Sequence, residues 1–496
     1  MMRKILFPLF LLTVFAGFGE SYDINLGGWL LDNYGNFKKN EFIRIKTVDI
    51  DEHNDKYKII MDKNDTLKLH SSIDRKIAFE INNTDDLWNS AIISRVLPET
   101  VMKKGFQIGL RNEIESDALE YIGKVKSNGW DFEDPYLETY IYGLITKIAP
   151  QILIDGRISH VNLLLLNDPQ MFACMYPNGT MVINTGLISL LKSEEELVAI
   201  LSREIAHFVL DHSTINVNKE ITRKKRETFW AGVATVLTGI TEGMAAYETG
   251  YYTGLATLSM ATATAAISSE VIDYLGLRYT NEQKKEADEY ALMTLELLGY
   301  PKSALATALN HLSTQVSLGK EPCPYFESYK PKELTERILS LGDPKNKIDH
   351  EFEKMISFAI TETANTKYAF RKFKQAIKLV DVNIKNKVGV VQDYIIKSQC
   401  YLSLYSEESK LKEIFGFLNA AKKIDSSFFE IFKTEIITHL RLGNKQQAIA
   451  LLREYGEKIK SVSDGHLDFK ERESIWVTNM LVKLGAYNTT PAVRNR

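Results

Sequence analysis

The feature that most constrains the fold is an amphipathic helix predicted between Ser193 and His212. Ser193 is followed three residues later by Glu196, which is the spacing of a capping box at a helix N-terminus. Apolar side chains then recur at helical spacing, at Leu197, Ile200, Leu201, Ile205 and Val209. The pattern therefore predicts one continuous helix that runs as far as His212.

Short strands are predicted before this helix. Residues 161–166 form an apolar run, and the turn sequence at residues 177–179 leads into the alternating residues 180–184. Nearer the N-terminus, apolar and polar residues alternate with period two between about residues 40 and 83, interrupted by turns rich in Asp and Asn. We therefore expect a small antiparallel β-rich domain at residues 20–100.

The C-terminal region, residues 351–490, is predicted to be helical throughout. An apolar pattern recurs there after 34 residues, first at Ile414, Leu418 and Ala421 and then at Ala448, Leu452 and Tyr455. This is the repeat length of tetratricopeptide arrays. The spacing from the preceding apolar pattern to Ile414 is not 34 residues, so a plain helical bundle is the alternative. Either arrangement gives a stacked helical surface, which is a common platform for binding peptides or proteins.

Residues 1–19 have the organisation of a secretory signal peptide. Arg3 and Lys4 form a basic start, and an uncharged, mostly apolar run follows from Ile5 to Gly19. That run is shorter than the ~20 apolar residues of a membrane span. We therefore expect an exported protein, periplasmic or extracellular, with a buried first helix as the alternative.

Residues 229–277 contain two uncharged stretches rich in Ala, Gly, Thr and Ser, separated by Glu242 and Glu248. Small residues at this density permit close contact between helices. The first stretch is too short and the second too hydroxylated for a membrane span. We therefore expect a packed helical hairpin, and a membrane-inserted one is the alternative that we do not favour.

The charge balance and the cysteine content exclude two classes of protein. The chain has 61 Lys+Arg against 64 Asp+Glu, a formal net charge of −3. A nucleic-acid-binding protein concentrates cations against phosphates, so no nucleic-acid partner is expected. The three cysteines are too few and too scattered for a disulfide framework or a zinc ribbon.

The predicted helix carries a motif related to that of zinc proteases. Such helices read H-E-x-x-H, in which two histidines one turn apart bind the metal and the glutamate activates a water molecule. Here Glu204 and His207 occupy the second and fifth positions, and Arg203 occupies the first. On its own, E-x-x-H is a weak signal, and its weight depends on the surrounding sequence.

The surrounding sequence resembles the zinc metallopeptidases of peptidase family M48, which include the CAAX prenyl protease. The resemblance covers about residues 134–342 and rests on Pro177-Asn178-Gly179 through Gly186-Leu187, Glu204 to His207, Glu286-Ala287-Asp288 and Glu336-Arg337-Ile338. It implies an α+β fold with a zincin-like (gluzincin) metallopeptidase core. We place that core at residues 101–345, with the hairpin 229–277 inside it.

The resemblance also implies where zinc would be held. In the family, the third ligand is a glutamate four residues before the aspartate of the E-A-D motif, and this position is Lys284 here. Arginine has no lone pair to donate, and lysine would first have to lose its proton. His207 is then the only family ligand retained, so we predict no zinc or other cofactor. Glu204 holds the general-base position and is expected to be vestigial.

The two substituted positions suggest a replacement of charge. Without a metal ion, Glu204 and Asp288 would be unpaired in a semi-buried cleft, which is costly. We therefore expect Arg203 and Lys284 to form ion pairs there, with exposure of both to solvent as the alternative. On a straight helix His212 would point about 140° away from His207 and would not join the site.

Three functions are compatible with this sequence. The favoured one is a pseudopeptidase that binds peptides or partner proteins without cutting them. The substrate edge strand implied by the family, Thr180, Met181, Val182, Ile183 and Asn184, would pair with an extended peptide, and the helical tail would make a second contact. The alternatives are an active zinc endopeptidase with unexpected ligands, His311 not being excluded, and a membrane-associated structural protein.

Overall fold

The computed structural model describes residues 20–33, 36–51, 56–61, 66–69, 77–96, 106–149, 161–218, 227–231, 271–319, 331–345, 347–461 and 467–486. These residues form a mixed α+β architecture that is mostly helical, with two small sheets. The predicted signal peptide and most of the predicted hairpin, residues 232–270, lie outside the described residues. Within the described part of the chain, no helix is long and apolar enough to cross a membrane.

The first sheet consists of five antiparallel strands in the order β4-β3-β2-β1-β5. The strands are β1 (Glu20–Leu30), β2 (Phe42–Asp51), β3 (Lys56–Met61), β4 (Thr66–Leu69) and β5 (Ile77–Phe79). Strands β2 to β5 lie where the alternating pattern predicts them, and β1 is additional. Helix α1 (Thr84–Ala91) packs against β1, and its Trp88 donates from Nε1 to the carbonyl of Ile148 at 2.8 Å. Through α1, this bond connects the first sheet to the helix that ends at Ile148.

The second sheet corrects the prediction of an edge strand at residues 180–184. Its strands are β6 (Asn162–Leu166), β7 (Ala173–Met175) and β8 (Thr180–Asn184), in the order β6-β8-β7. A turn at Gly179, whose φ is 79°, folds the chain back so that β8 pairs antiparallel with β7, while β6 pairs in parallel on the other side. The predicted edge strand is therefore the central one. Both of its hydrogen-bonding edges are occupied, and all five of its residues are buried.

Helices surround this second sheet. They are α2 (Phe106–Ser127), α3 (Pro135–Ile148), α4 (Thr185–Ile188), α5 (Glu194–Val209), α6 (His212–Asn218), α7 (Asn281–Leu297), α8 (Ser303–Gly319) and α9 (Pro331–Ser340). Helix α5 contacts β7, α3, α7 and α8, and fourteen of its sixteen residues are buried. The predicted cap is present, since Ser193 Oγ accepts from the amide of Glu196 at 3.4 Å. Helix α5 is thus held in the centre of the molecule.

The C-terminal helices pack in sequence order. They are α10 (His350–Met355), α11 (Ser357–Ala369), α12 (Phe373–Lys385), α13 (Val391–Leu404), α14 (Glu408–Ile424), α15 (Phe429–Arg441), α16 (Lys445–Lys460) and α17 (Leu467–Lys483). Each helix from α11 to α16 contacts the next one in the chain. Helix α11 also packs against α4, and its buried Lys367 donates to the carbonyl of Pro169 at 3.5 Å. The first of these helices therefore share the core of the second sheet.

Candidate functional site

The residues of the E-x-x-H motif lie in the interior of the molecule. Arg203 is 1% exposed, and Glu204 and His207 are both 0% exposed. They lie on the central helix α5, one face of which packs against α7. Lys284, at the third ligand position, and Asp288 of the E-A-D motif both lie on α7. Their exposed fractions are 4% and 1%. The fold therefore brings together the two segments that the sequence analysis connected.

Arg203 binds both carboxylates of this site. Its Nη1 donates to Glu204 Oε1 at 2.6 Å, and its Nε donates to Asp288 Oδ1 at 3.0 Å. The ion pairing predicted for Arg203 is thus confirmed. The other oxygen of Asp288 accepts from Arg337 of α9, at 2.6 Å from Nη2 and 3.0 Å from Nε. Glu204, Arg203, Asp288 and Arg337 form one continuous chain of charges that joins α5, α7 and α9.

Lys284 lies one turn before Asp288 on α7 and is buried with it. Burial is the largest cause of the lowered pKa of His207, and the positive charge of Lys284 adds to it. The site thus contains three buried or nearly buried cations, Arg203, Lys284 and Arg337, around two buried carboxylates. This is a composition suited to internal ion pairing, since each carboxylate has a cation within reach.

His207 contacts a second histidine, which corrects a prediction. Its Nδ1 lies 2.9 Å from Nδ1 of His212, whereas a straight helix would point the two side chains apart. The helix ends at Val209, and Asp211 has a φ of 57°, so the chain turns before a new helix begins at His212. One of the two Nδ1 atoms must carry a hydrogen and donate the hydrogen bond, and the other must accept that bond. His212 Nε2 in turn lies 3.4 Å from Glu286.

His207 is held as a neutral imidazole. Burial, followed by the positive charge of Arg203, holds its pKa well below the usual range. The ring of Tyr279 stacks on it with a centroid distance of 3.6 Å and an interplanar angle of 10°. Burial likewise raises the pKa of the Tyr279 hydroxyl well above its usual value, so this phenol is also neutral. The charge of the site therefore resides on its arginines, its lysine and its carboxylates.

The site does not fit zinc. One feature favours a metal, because His207 Nε2 is buried and has no hydrogen-bond partner among the described residues. The other two ligand positions, however, carry Arg203 and Lys284, which cannot donate to a metal in their charged forms. No group of three His, Cys, Asp or Glu side chains in the described part of the chain is arranged to hold a metal ion. His311 does not replace a ligand. Its Nδ1 lies 3.0 Å from Oε2 of Glu196, which is about two turns of α5 before Glu204.

Three residues of this site were not predicted from the sequence. Arg337 belongs to the E-R-I motif, which was recognised without a role for its guanidinium. Tyr279 precedes the capping residue of α7, and nothing in its sequence position indicates stacking on His207. Cys174 on β7 is fully buried, and burial, followed by the charge of Glu204, raises its thiol pKa well above the usual value. A lone buried cysteine carries no local signal that would have placed it here.

Comparison with known proteins finds a family that part of this chain resembles. Residues 138–362 match the family model described as Peptidase family M48. The beta-barrel assembly-enhancing proteases of Escherichia coli (strain K12) and Shigella flexneri are each 22% identical over 233 residues, which is 46% of this chain and 42% of theirs. A relative from Vibrio cholerae serotype O1 is 22% identical over 204 residues, 41% of this chain and 38% of its own.

The similarity is thus distant and partial. The chain spans about two fifths of the length of the curated relatives that it matches. The matched region contains α5, α7 and α9, and with them every residue of the charge chain described above. Residues 138–362, which we call the M48 region, are therefore similar to peptidase family M48.

Proposed function

We propose that this chain is a pseudopeptidase, which binds a peptide or partner protein without zinc-dependent cleavage. The observation that carries the proposal is the position of Arg203, whose guanidinium lies 2.6 Å from Glu204 and 3.0 Å from Asp288 inside the core. In an H-E-x-x-H enzyme the glutamate acts on a metal-bound water. Here Oε1 of that glutamate accepts a hydrogen bond from a permanent cation, so this oxygen is not available to take a proton from water.

The electrostatics of the site oppose a metal ion as well. Two unit charges about 4 Å apart interact by about 4 kcal/mol at an effective dielectric constant near 20. A divalent ion at that distance from one guanidinium would therefore be repelled by about 8 kcal/mol. The buried lysine would add to this repulsion.

The proposal includes two interpretations of the fold, one of the region around α5 and one of the C-terminal helices. We interpret α5, the second sheet and α7 as a zincin-like core, because the helix with the E-x-x-H motif packs against both β7 and α7. We interpret the C-terminal helices as tetratricopeptide-like. The first helices of three successive pairs begin at Ser357, Val391 and Phe429, which are 34 and 38 residues apart, close to the 34 of that repeat.

The partner would be a protein or an extended peptide bound by the helical tail. Stacked helix pairs present a continuous surface for such partners. Two of the relatives are named for enhancing β-barrel assembly, so we propose by analogy a partner in the cell envelope. Export rests on the basic and apolar pattern of residues 1–19. Sequencing the N-terminus of the protein secreted by its host would test export directly.

A cleavage assay tests the central proposal. Purified protein is incubated with an unfolded protein substrate, with and without added zinc, beside the Glu204→Gln variant. We expect no cleavage by either protein and an unchanged biological role for the variant. Zinc-dependent cleavage that disappears in Glu204→Gln, with the fold intact, would instead establish the active endopeptidase.

The active endopeptidase is the second candidate because of His207 Nε2, a buried ring nitrogen with no hydrogen-bond partner among the described residues. It requires ligands that the described residues do not supply. A membrane-associated role would depend on residues 232–270, which lie outside the described part of the chain. Dependence of the protein's solubility on detergent would favour that role.

A further inference from the structure

An open groove lies where the start of α3 meets α10 and α11, the first helices of the helical tail. Its volume is about 530 Å³, within the range of roughly 300–1,000 Å³ that is typical of ligand sites. We call it the junction groove. It is lined by Glu133, Asp134 and Tyr136 at the start of α3 and by Glu351, Lys354 and Phe358 of α10 and α11.

The apolar part of the junction groove is unusually exposed. Tyr136 is 84% exposed and Phe358 is 46% exposed, and Met355 and Pro135 lie beside them. Tyr, Phe and Met are enriched in the cores of protein interfaces, and exposed aromatic side chains of this size often form the energetic centre of such interfaces. The Tyr136 ring makes no aromatic or cation–π contact within the described residues, and most of its side chain faces solvent.

The walls of the groove are rigid. Asp134 caps α3 by accepting from the amides of Tyr136 and Leu137 at 3.2 and 3.1 Å, and Pro135 fixes the first turn. The opposite wall is joined to this segment by the rings of Phe132 and Phe358, whose centroids lie 5.2 Å apart. A preformed groove loses little conformational entropy when a partner binds.

The rim of the groove is negatively charged. It carries Glu133, Asp134 and Glu351 against the single cation Lys354. Lys354 already pairs with Glu351 at 2.6 Å, so the charges of Glu133 and Asp134 are left without a cation in the groove. Complementary charge steers a partner and selects its sign. The groove thus favours a cationic partner and disfavours anionic surfaces such as acidic lipids.

We propose that the junction groove binds a segment of a partner protein in which an aromatic or large aliphatic side chain is flanked by Lys or Arg. The apolar side chain would pack against Tyr136 and Phe358, and the flanking cations would face Glu133 and Asp134. The proposal gives a site to the partner binding proposed above and rests on that part of it. It does not depend on whether the M48 site has lost zinc.

Fluorescence anisotropy with two defined probes tests the proposal. The probes are the labelled, amidated peptide Gly-Lys-Leu-Phe-Lys-Leu-Lys-Gly and its counterpart with Glu in place of each Lys. The proteins are wild type, Tyr136→Ala, Glu133→Lys and the control Tyr142→Ala. Tyr142 is also an exposed tyrosine of α3, 41% exposed, but it does not line the groove. Because all these side chains lie on the surface, we expect every variant to fold.

The basic peptide should bind to wild type at least about tenfold more tightly than the acidic one. Tyr136→Ala and Glu133→Lys should each weaken that binding by about fivefold or more, and Tyr142→Ala should leave it unchanged. Equal binding of both peptides, no binding of either, or full binding by Tyr136→Ala would each overturn the proposal. Because the readout is binding alone, its failure is distinct from a finding that the protein binds zinc or cleaves substrates.

Discussion

Arg203 has two charged hydrogen bonds that hold it within the core of the molecule. Its partners Glu204 and Asp288 are almost completely shielded from water, and so is its own side chain. A buried ion pair adds little net stability when it is complete, but removal of one member leaves an uncompensated charge in a medium of low polarity. The residue therefore matters more through what its loss would expose than through the strength of its bonds.

Replacing Arg203 by alanine should strongly destabilise the protein. The substitution removes the guanidinium that Glu204 and Asp288 share, and the expected loss is about 3–5 kcal/mol in the free energy of unfolding. Equilibrium unfolding in urea measures this loss. A matched control is Lys332→Ala, because Lys332 pairs with Glu336 at 3.8 Å while both side chains remain largely exposed. We expect no measurable change for the control, and an equally small effect of Arg203→Ala would show that the pair is not buried.

At the scale of helices and strands, features set by residues close together in the chain could be predicted from the sequence. The packing of segments that are distant in the chain could not. The cap at Ser193 and the strands β2 to β5 follow from sequence patterns, since these depend on residues close together in the chain. Strand β8 is central because β6 pairs with one of its edges and β7 with the other. The five residues of β8 do not themselves indicate whether one or two strands pair with them. His212 was misplaced because one residue, Asp211, adopts a left-handed conformation that ends the helix.

Gly186 at the start of α4 provides a test at this scale. A Cβ there would lie 2.3 Å from both the carbonyl carbon and the carbonyl oxygen of Pro169, so backbone would have to move. Gly186→Ala should therefore destabilise the protein by about 1–3 kcal/mol. Gly143→Ala is the control, because Gly143 lies within α3 and a Cβ there meets nothing within 4 Å. The control should stabilise by about 0.5–1 kcal/mol, and thermal unfolding of both variants would reveal either sign.

At the scale of the whole molecule, one hydrophobic core extends from the first sheet through the M48 region to α13. Two smaller clusters hold the remaining helices of the tail. The charge chain crosses this core and joins α5, α7 and α9, which are distant in sequence. The match to peptidase family M48 could be predicted from the sequence. The substitution of two zinc-ligand positions follows from that resemblance and stays a prediction. The part played by Arg337 could not, because it depends on where α9 packs.

Stability of the whole molecule should not depend on a metal ion. Because arginines join the three helices, thermal unfolding in the presence of a chelator should have the same midpoint as unfolding with added zinc. A native-state ligand at about one hundred times its dissociation constant would add about 2.7 kcal/mol, which is a shift of several degrees. A shift of that size, in freshly purified protein, would indicate a bound metal.

The most direct test of the account is zinc content per chain in four proteins: wild type, Arg203→His, Lys284→Glu and the double variant. Together the two substitutions restore the H-E-x-x-H motif and the glutamate ligand on α7, so that His207 becomes one of three family ligands. We predict almost no zinc in wild type, little in either single variant, and about one zinc per chain in the double variant. Stoichiometric zinc in wild type, or none in a folded double variant, would contradict the proposal that charged side chains occupy the position of a metal ion in this site.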